Sequence, residues 1–189
     1  MRIVGGSLRG RNLACPAGKD VRPTLDRVRE ALFNILSHAS RWYEEDENPL
    51  YDGIVLDAFA GSGALGLEAL SRGAQKAVFF DRDSKALAAI DENIKTLKLE
   101  DRASARRADA TRPVKASTPA SLIFLDPPYH QDLITPSIQA LRAAGWIDDK
   151  TLIIAERDPR DAMTDIPGID ILDTRKYGRC QIDMMRLYS

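Results

Sequence analysis

The stretch Val55-Leu56-Asp57-Ala58-Phe59-Ala60-Gly61-Ser62-Gly63-Ala64-Leu65-Gly66 runs from apolar residues through a glycine turn into residues of helical habit. Gly61, Gly63 and Gly66 satisfy the G-x-G-x-x-G spacing that joins a buried strand to a helix. Outward from it the chain alternates regularly. The spacing predicts strands at 54–58, 77–81, 103–107, 122–126 and 152–156, and helices at 64–72, 85–97 and 133–144. On the second of these helices Leu87, Ile90, Ile94 and Leu97 share a face. The chain closes with 169–176 and 181–187, read as an antiparallel pair. Short apolar strands alternating with helices imply an α/β, Rossmann-like, mostly parallel sheet with an antiparallel C-terminal strand and helices on both faces. Before it, residues 1–14 read as a β-hairpin. A helix follows, with Thr24 as N-cap and Leu25, Val28, Leu32, Ile35 and Leu36 at helical spacing. That helix is expected to leave Arg27, Arg29 and Glu30 on its solvent face. The acidic, turn-rich segment EEDENPLYDG at 44–53 suggests a boundary, giving an extension over 1–49 and a main domain over 50–189.

The glycine turn suits two cofactors, a nicotinamide dinucleotide and S-adenosylmethionine. Asp81, about 20 residues beyond Gly61, is placed to accept hydrogen bonds from ribose hydroxyls in either case. Asp57 separates them. A pyrophosphate at the helix N-terminus would lie beside its carboxylate, and two like charges at 4 Å repel by about 4 kcal/mol at an effective dielectric near 20. A cofactor carrying ammonium and sulfonium groups is favoured there instead. Asp126-Pro127-Pro128-Tyr129 ends the fourth strand. The prolines fix the backbone and remove two N–H donors. The Asp126 carboxylate and the Pro127 carbonyl can then both accept from one exocyclic amino group, pulling it toward a tetrahedral shape. Tyr129 offers a ring on which an unstacked base can lie.

In these motifs the sequence resembles the class I S-adenosylmethionine-dependent methyltransferases that modify exocyclic amino groups of nucleobases. Arg2-Ile3-Val4-Gly5-Gly6, Arg22-Pro23-Thr24, Val28-Arg29-Glu30-Ala31-Leu32-Phe33-Asn34-Ile35-Leu36 and the stretch from Asp57 to Gly63 narrow the likeness. They resemble the bacterial 16S rRNA guanine-N2 methyltransferase family. The resemblance implies methyl transfer to N2 of one guanine in 16S rRNA, within a partly assembled 30S subunit, by a cytoplasmic monomer. It places Asp57, Gly61 and Gly63 by the methionine part of the cofactor and Asp81 by the ribose, with Asp109 near the adenine. Phe59, Ser62, Arg82, Ala110 and Asp126 complete that cofactor site, and Asp126, Pro127, Pro128 and Tyr129 act on the base. Where relatives often have Glu this chain has Asp81, which leaves Asp81 and Asp83 as competing ribose ligands.

The whole chain has 189 residues and a formal charge of −1, a sum that conceals a division. Residues 1–41 carry eight basic against three acidic side chains, +5, and the remainder carries 19 basic and 25 acidic, −6. A basic arm on an acidic body fits a polyanion met at one end. Arg2, Arg9, Arg11, Arg22, Arg27 and Arg29 are the candidate RNA contacts. With 44% hydrophobic and 29% charged residues the chain is neither disordered nor fibrous. No apolar run reaches the roughly 20 residues of a membrane span, and the first residues lack a signal-type apolar stretch. Cys15, Cys180, His38 and His130 are too few for a disulfide framework or a His/Cys metal site, so no metal is expected. His130 follows the Pro-Pro motif, but a methylated amino group sheds its proton without a strong base. Glu156, at the end of a strand on the ligand edge, is a candidate for a supporting role. Three other readings stay open: a DNA adenine-N6 methyltransferase, a nicotinamide-dependent oxidoreductase, and a non-catalytic RNA-binding assembly factor.

Overall fold

The computed structural model describes residues 1–16, 23–38, 48–161 and 166–188. The elements in chain order are α1 (Pro23–His38), β1 (Ile54–Asp57), α2 (Ala64–Arg72), β2 (Lys76–Asp81), α3 (Ser84–Leu97) and β3 (Ala103–Arg107). β4 (Leu122–Leu125), α4 (Ile134–Ala143), β5 (Leu152–Arg157), β6 (Ile169–Tyr177) and β7 (Cys180–Leu187) follow. One seven-stranded sheet has the order β3-β2-β1-β4-β5-β7-β6. β1 to β5 pair in parallel, while β7 is antiparallel to both β5 and β6. The expected Rossmann-like sheet is present, and the last strand inserts between β5 and β6.

Successive strand residues point to opposite faces and build two cores. Val55, Phe79, Phe124, Ile154 and Met184 face α1, α2 and α3. Leu56, Phe80, Ile123, Ile153 and Met185 face α4 and Trp146 on the other side. Helices therefore cover both faces. The buried stripe of α3 differs in detail from the expectation. Leu87 is half-buried, while Ala86, Ala89 and Asn93 are buried with Ile90, Ile94 and Leu97.

The N-terminal segment is docked on this domain rather than hanging from it. Ile3, Leu13, Leu32, Phe33 and Leu36 belong to the same core as Val55 and Phe124. The hairpin is short: its arms meet at the Arg2–Asn12 bridge, with Ile3 N–H donating to the Arg11 carbonyl, Gly10 N–H to that of Ile3 and Leu13 N–H to that of Met1, and the chain between them bonds to α2. Val4 N–H donates to Glu68 Oε2 at 2.8 Å, Ser7 N–H to the Ser71 carbonyl at 2.7 Å, and Leu8 N–H to Ser71 Oγ at 2.9 Å. Further along, Ala14 N–H donates to Asn93 Oδ1 at 2.7 Å. Asn93 Nδ2 in turn donates to the carbonyls of Ala14 and Ser62. The Thr24 side chain and residues 44–47 of the 44–53 linker lie outside the described residues.

Candidate active site

Strand order reverses between β1 and β4, and an open α/β sheet forms its ligand crevice at that point, beyond the carboxyl ends of the strands. Asp57 ends β1, and Asp126 follows directly on β4. Asp57 pairs in register with Phe124, so the two acids flank the crevice on the same sheet face. Between them the glycine loop is held by a short series of bonds. Gly61 N–H donates to Asp81 Oδ2 at 2.8 Å and Gly66 N–H to Asp57 Oδ2 at 3.0 Å. Gly61 and Gly63 have φ of 56° and 76°, the left-handed region that favours glycine. Gly66 is required for a different reason. A β-carbon there would lie 2.4 Å from Phe79 Cε1, so only glycine lets α2 sit this close to β2.

Asp57 is almost fully buried. Burial pushes its carboxyl up to about 7, with the Gly66 N–H opposing and the Asp81 charge adding to the rise. Asp81 receives Gly61 N–H on one oxygen and Asp83 N–H on the other at 2.9 Å. Asp83 caps α3, accepting from Lys85 N–H at 2.9 Å. Of the two, Asp81 lines the cavity and Asp83 serves the helix. Burial raises the Asp109 carboxyl, but bonds from the Thr111 hydroxyl and N–H, with Arg82 nearby, hold it below the ordinary value overall.

Two cavities meet at the crevice. The first, about 500 Å³, lies between the glycine loop, α1 and the first residues of the chain, and includes Asp57, Gly61, Ser62, Asp126 and Glu156. The second, about 450 Å³, gathers Asp81, Arg82, Asp109, Ala110, Pro127, Pro128 and Tyr129. Phe59 and Asp126 border both. The candidate cofactor residues are therefore brought together around one joined space, Gly63 contributing the turn rather than the wall. Met1, Cys15, Pro16 and Leu32 also line the first cavity, and nothing in the sequence pointed to them. Asn93 and Glu68 were missed as well, and the signal that could have found them is a polar residue set among the apolar positions of a helix, where an unpaired polar group would be costly once buried.

The Tyr129 hydroxyl donates to Glu156 Oε1 at 2.6 Å. Burial and the Glu156 carboxylate push its pKa far up, so the hydroxyl stays a donor. Burial likewise pushes the Cys180 thiol up, with Glu156 and Asp126 adding to the rise. His130, at φ 62°, is committed to the segment after β5. Its Nδ1 lies 2.6 Å from Asp161 Oδ1, and its N–H donates to Asp161 Oδ2.

The candidate RNA contacts divide. Arg2, Arg9 and Arg27 line one surface concavity of about 400 Å³ with Asp26 and Glu30. Arg11 is exposed, and Arg22 lies outside the described residues. Arg29 corrects the expectation of a solvent-facing side chain. It is 5% exposed, ion-paired with Asp26 at 3.0 Å and Glu68 at 3.7 Å, and lines the first cavity. Helical periodicity put it with Arg27, but the N-terminal segment folds over that face: the Arg2 carbonyl accepts from Arg29 Nη2. Among the described residues no cluster of three or more His, Cys, Asp or Glu side chains could hold a metal ion, and no helix is long and apolar enough to cross a membrane.

Comparison with known proteins agrees with this architecture. The Ribosomal RNA small subunit methyltransferase D of Escherichia coli strain K12 is 36% identical over 168 residues, covering 89% of this chain and 80% of that protein. The solved structure of Escherichia coli yhhF superposes with a TM-score of 0.82 and 34% sequence identity, covering 99% of this chain and 97% of the other. P. horikoshii TYW2, solved in complex with MeSAdo, shares the fold alone at 20% identity and a TM-score of 0.63, covering 91% of this chain and 66% of that one. The family model described as Conserved hypothetical protein 95 matches residues 1–186. With its switch-point crevice, glycine loop and Asp-Pro-Pro-Tyr strand end all in place, the chain belongs to that family, the one that includes the small-subunit rRNA methyltransferases D.

Proposed function

We propose that this protein transfers a methyl group from S-adenosylmethionine to the exocyclic N2 amino group of a guanine in 16S rRNA, working in the cytoplasm as a monomer on a partly assembled small subunit. The observation that carries the reading is the position of Asp126, which borders both cavities at the switch point. The name of the 36% identical Escherichia coli relative supports rRNA as substrate. The donor set fits the cofactor: carboxylates at strand ends suit an ammonium and ribose hydroxyls, and the second cavity is wide enough for a nucleoside.

When bound, the cofactor supplies an electrophilic methyl on a cationic sulfur. The residues of this chain do the rest by placement. Asp57 and the glycine loop hold the methionine end, Asp81 the ribose, and the Asp109–Ala110 turn the adenine. The Asp126 carboxylate and Pro127 carbonyl accept from the guanine amino group and aim its lone pair along the transfer line. Tyr129, anchored on Glu156, supplies the surface on which the unstacked base lies. Met1, Cys15 and Pro16 form one wall of the first cavity. Catalysis is positioning and electrostatics, with the surplus proton leaving to solvent. Residues 1–49 act as the RNA-engaging extension of the 50–189 domain, with Arg2, Arg9 and Arg27 toward phosphate. The test is methyl transfer from labelled cofactor to 30S particles, naked 16S rRNA and DNA, with the modified base mapped. N2-methylguanine in the rRNA is expected. Incorporation into DNA alone refutes the proposal.

A further inference from the structure

Two carboxylates stand side by side where the base would lie. Leu125 and Ala155 are register partners on β4 and β5, so the residues that follow them, Asp126 and Glu156, are neighbours. Both lie on the face of Phe124 and Ile154 and line the first cavity. The floor between them is apolar, made of Phe124, Ile154 and Ile182. Among the described lining residues the cation is Arg29, which is already paired with Asp26 and Glu68. Glu156 is fixed rather than free to swing, since Tyr129 donates to Oε1 at 2.6 Å. A carboxylate offers about four lone-pair sites, so the bonds from the Tyr129 hydroxyl and the neighbouring Cys180 thiol still leave acceptor capacity toward the cavity.

Such a pair calls for a ligand edge with adjacent donors. Guanine has one: the N1–H lies next to the N2 amino group. We infer that Glu156 accepts the N1–H of the target base beside Asp126 on N2, so that the paired carboxylates select guanine over bases carrying a lone pair at that ring nitrogen. The inference rests on the guanine-N2 reading above and adds the group that recognises the base. Adenine and 2-aminopurine present a lone pair at N1, which would face a fixed carboxylate with no proton between them. A buried acceptor set against another acceptor loses its hydrogen bond and suffers repulsion, and that is how a site built for an N–H rejects its analogue.

The decisive substrate is 2-aminopurine, which keeps the 2-amino group and replaces the N1–H by a lone pair. It is placed in 16S rRNA at the guanine the wild type methylates, and the rRNA is reconstituted into 30S particles. The wild type is expected to prefer guanine by roughly 100-fold or more in kcat/KM. Glu156→Gln keeps an acceptor for Tyr129 and adds an N–H donor. It should lower transfer to guanine about 10- to 100-fold, raise transfer to 2-aminopurine, and leave cofactor affinity unchanged. Tyr129→Phe removes the bond that fixes Glu156 but not the carboxylate, and should reduce the preference between bases only in part. Equal use of both bases by the wild type overturns the inference, as does a Glu156→Gln variant that slows both alike. A Tyr129→Phe variant that reproduces the whole change in preference also overturns it, because Glu156 would then act only through the tyrosine. Failure of the wild type to form N2-methylguanine at all overturns the guanine reading, and this inference with it.

Discussion

Gly66→Ala tests how tightly the glycine loop is built. The added β-carbon would meet Phe79 Cε1 at 2.4 Å and Cζ at 2.8 Å, where ordinary contact begins near 3.4 Å. Phe79 is fully buried, and its ring lies where Ile90 and Leu67 also close on Gly63. The ring therefore has little room to retreat, and α2 must lift from β2. Overpacking of this kind costs about 1–3 kcal/mol. Alanine returns about 1 kcal/mol through its better helix propensity. The net loss of up to about 2 kcal/mol corresponds to a Tm lower by up to roughly 8 °C at this chain length. Because Gly66 N–H holds Asp57, lifting the helix also displaces the carboxylate, and cofactor affinity should fall about tenfold, equivalent to 1.4 kcal/mol. Calorimetric melts and titration with S-adenosylmethionine measure the two effects. Phe79→Leu should cost less in the Gly66→Ala background than alone, since the smaller side chain makes room for the methyl. An unchanged Tm with unchanged cofactor affinity refutes the reasoning.

Asp126→Ala should abolish turnover while leaving cofactor affinity within a few-fold, read by titration beside the methyl-transfer assay; loss of cofactor binding would contradict the division of roles. Asp57 has its carboxyl raised by burial to about 7, so between pH 4 and 7 the folded state binds the extra proton and stability falls as pH rises. Denaturant melts should show Asp57→Asn gaining on the wild type across that window and staying level above it; a constant difference refutes the assignment. Asn93→Ala leaves Ala14 N–H without its acceptor and frees the start of the chain, costing about 1–3 kcal/mol and exposing residues 1–14 to faster hydrogen exchange. Unaltered exchange there would mean the clamp lies elsewhere. Replacing Arg2, Arg9 and Arg27 together should weaken rRNA binding and flatten its salt dependence by roughly one unit of slope per lost phosphate contact; an unchanged slope moves the RNA face.

The periodicities that name strands and helices are local, and here they were enough. α2 and β3 match their expected bounds, and the other elements shift by a residue or so at their ends. The glycine loop and Asp-Pro-Pro-Tyr were equally legible, because backbone freedom at Gly61 and Gly63 and the missing donors of Pro127 and Pro128 are properties of single residues in order. What sequence could not supply is whatever depends on a second segment arriving from far along the chain. Arg29 carries a charge and a helical phase that say surface, yet it is buried because residues 1–14 cross its face and Glu68 of another helix meets it. The choice between Asp81 and Asp83 turns on which one faces the cavity, a consequence of where α3 begins. Glu156 gains its place beside Asp126 only through the β4–β5 register. Sequence by itself determined the fold and the chemistry available to it, since both follow from local geometry and residue type. Tertiary structure alone decided which carboxylates share a cavity and which arginine is buried, because burial and charge pairing are set by distances between residues remote in the chain.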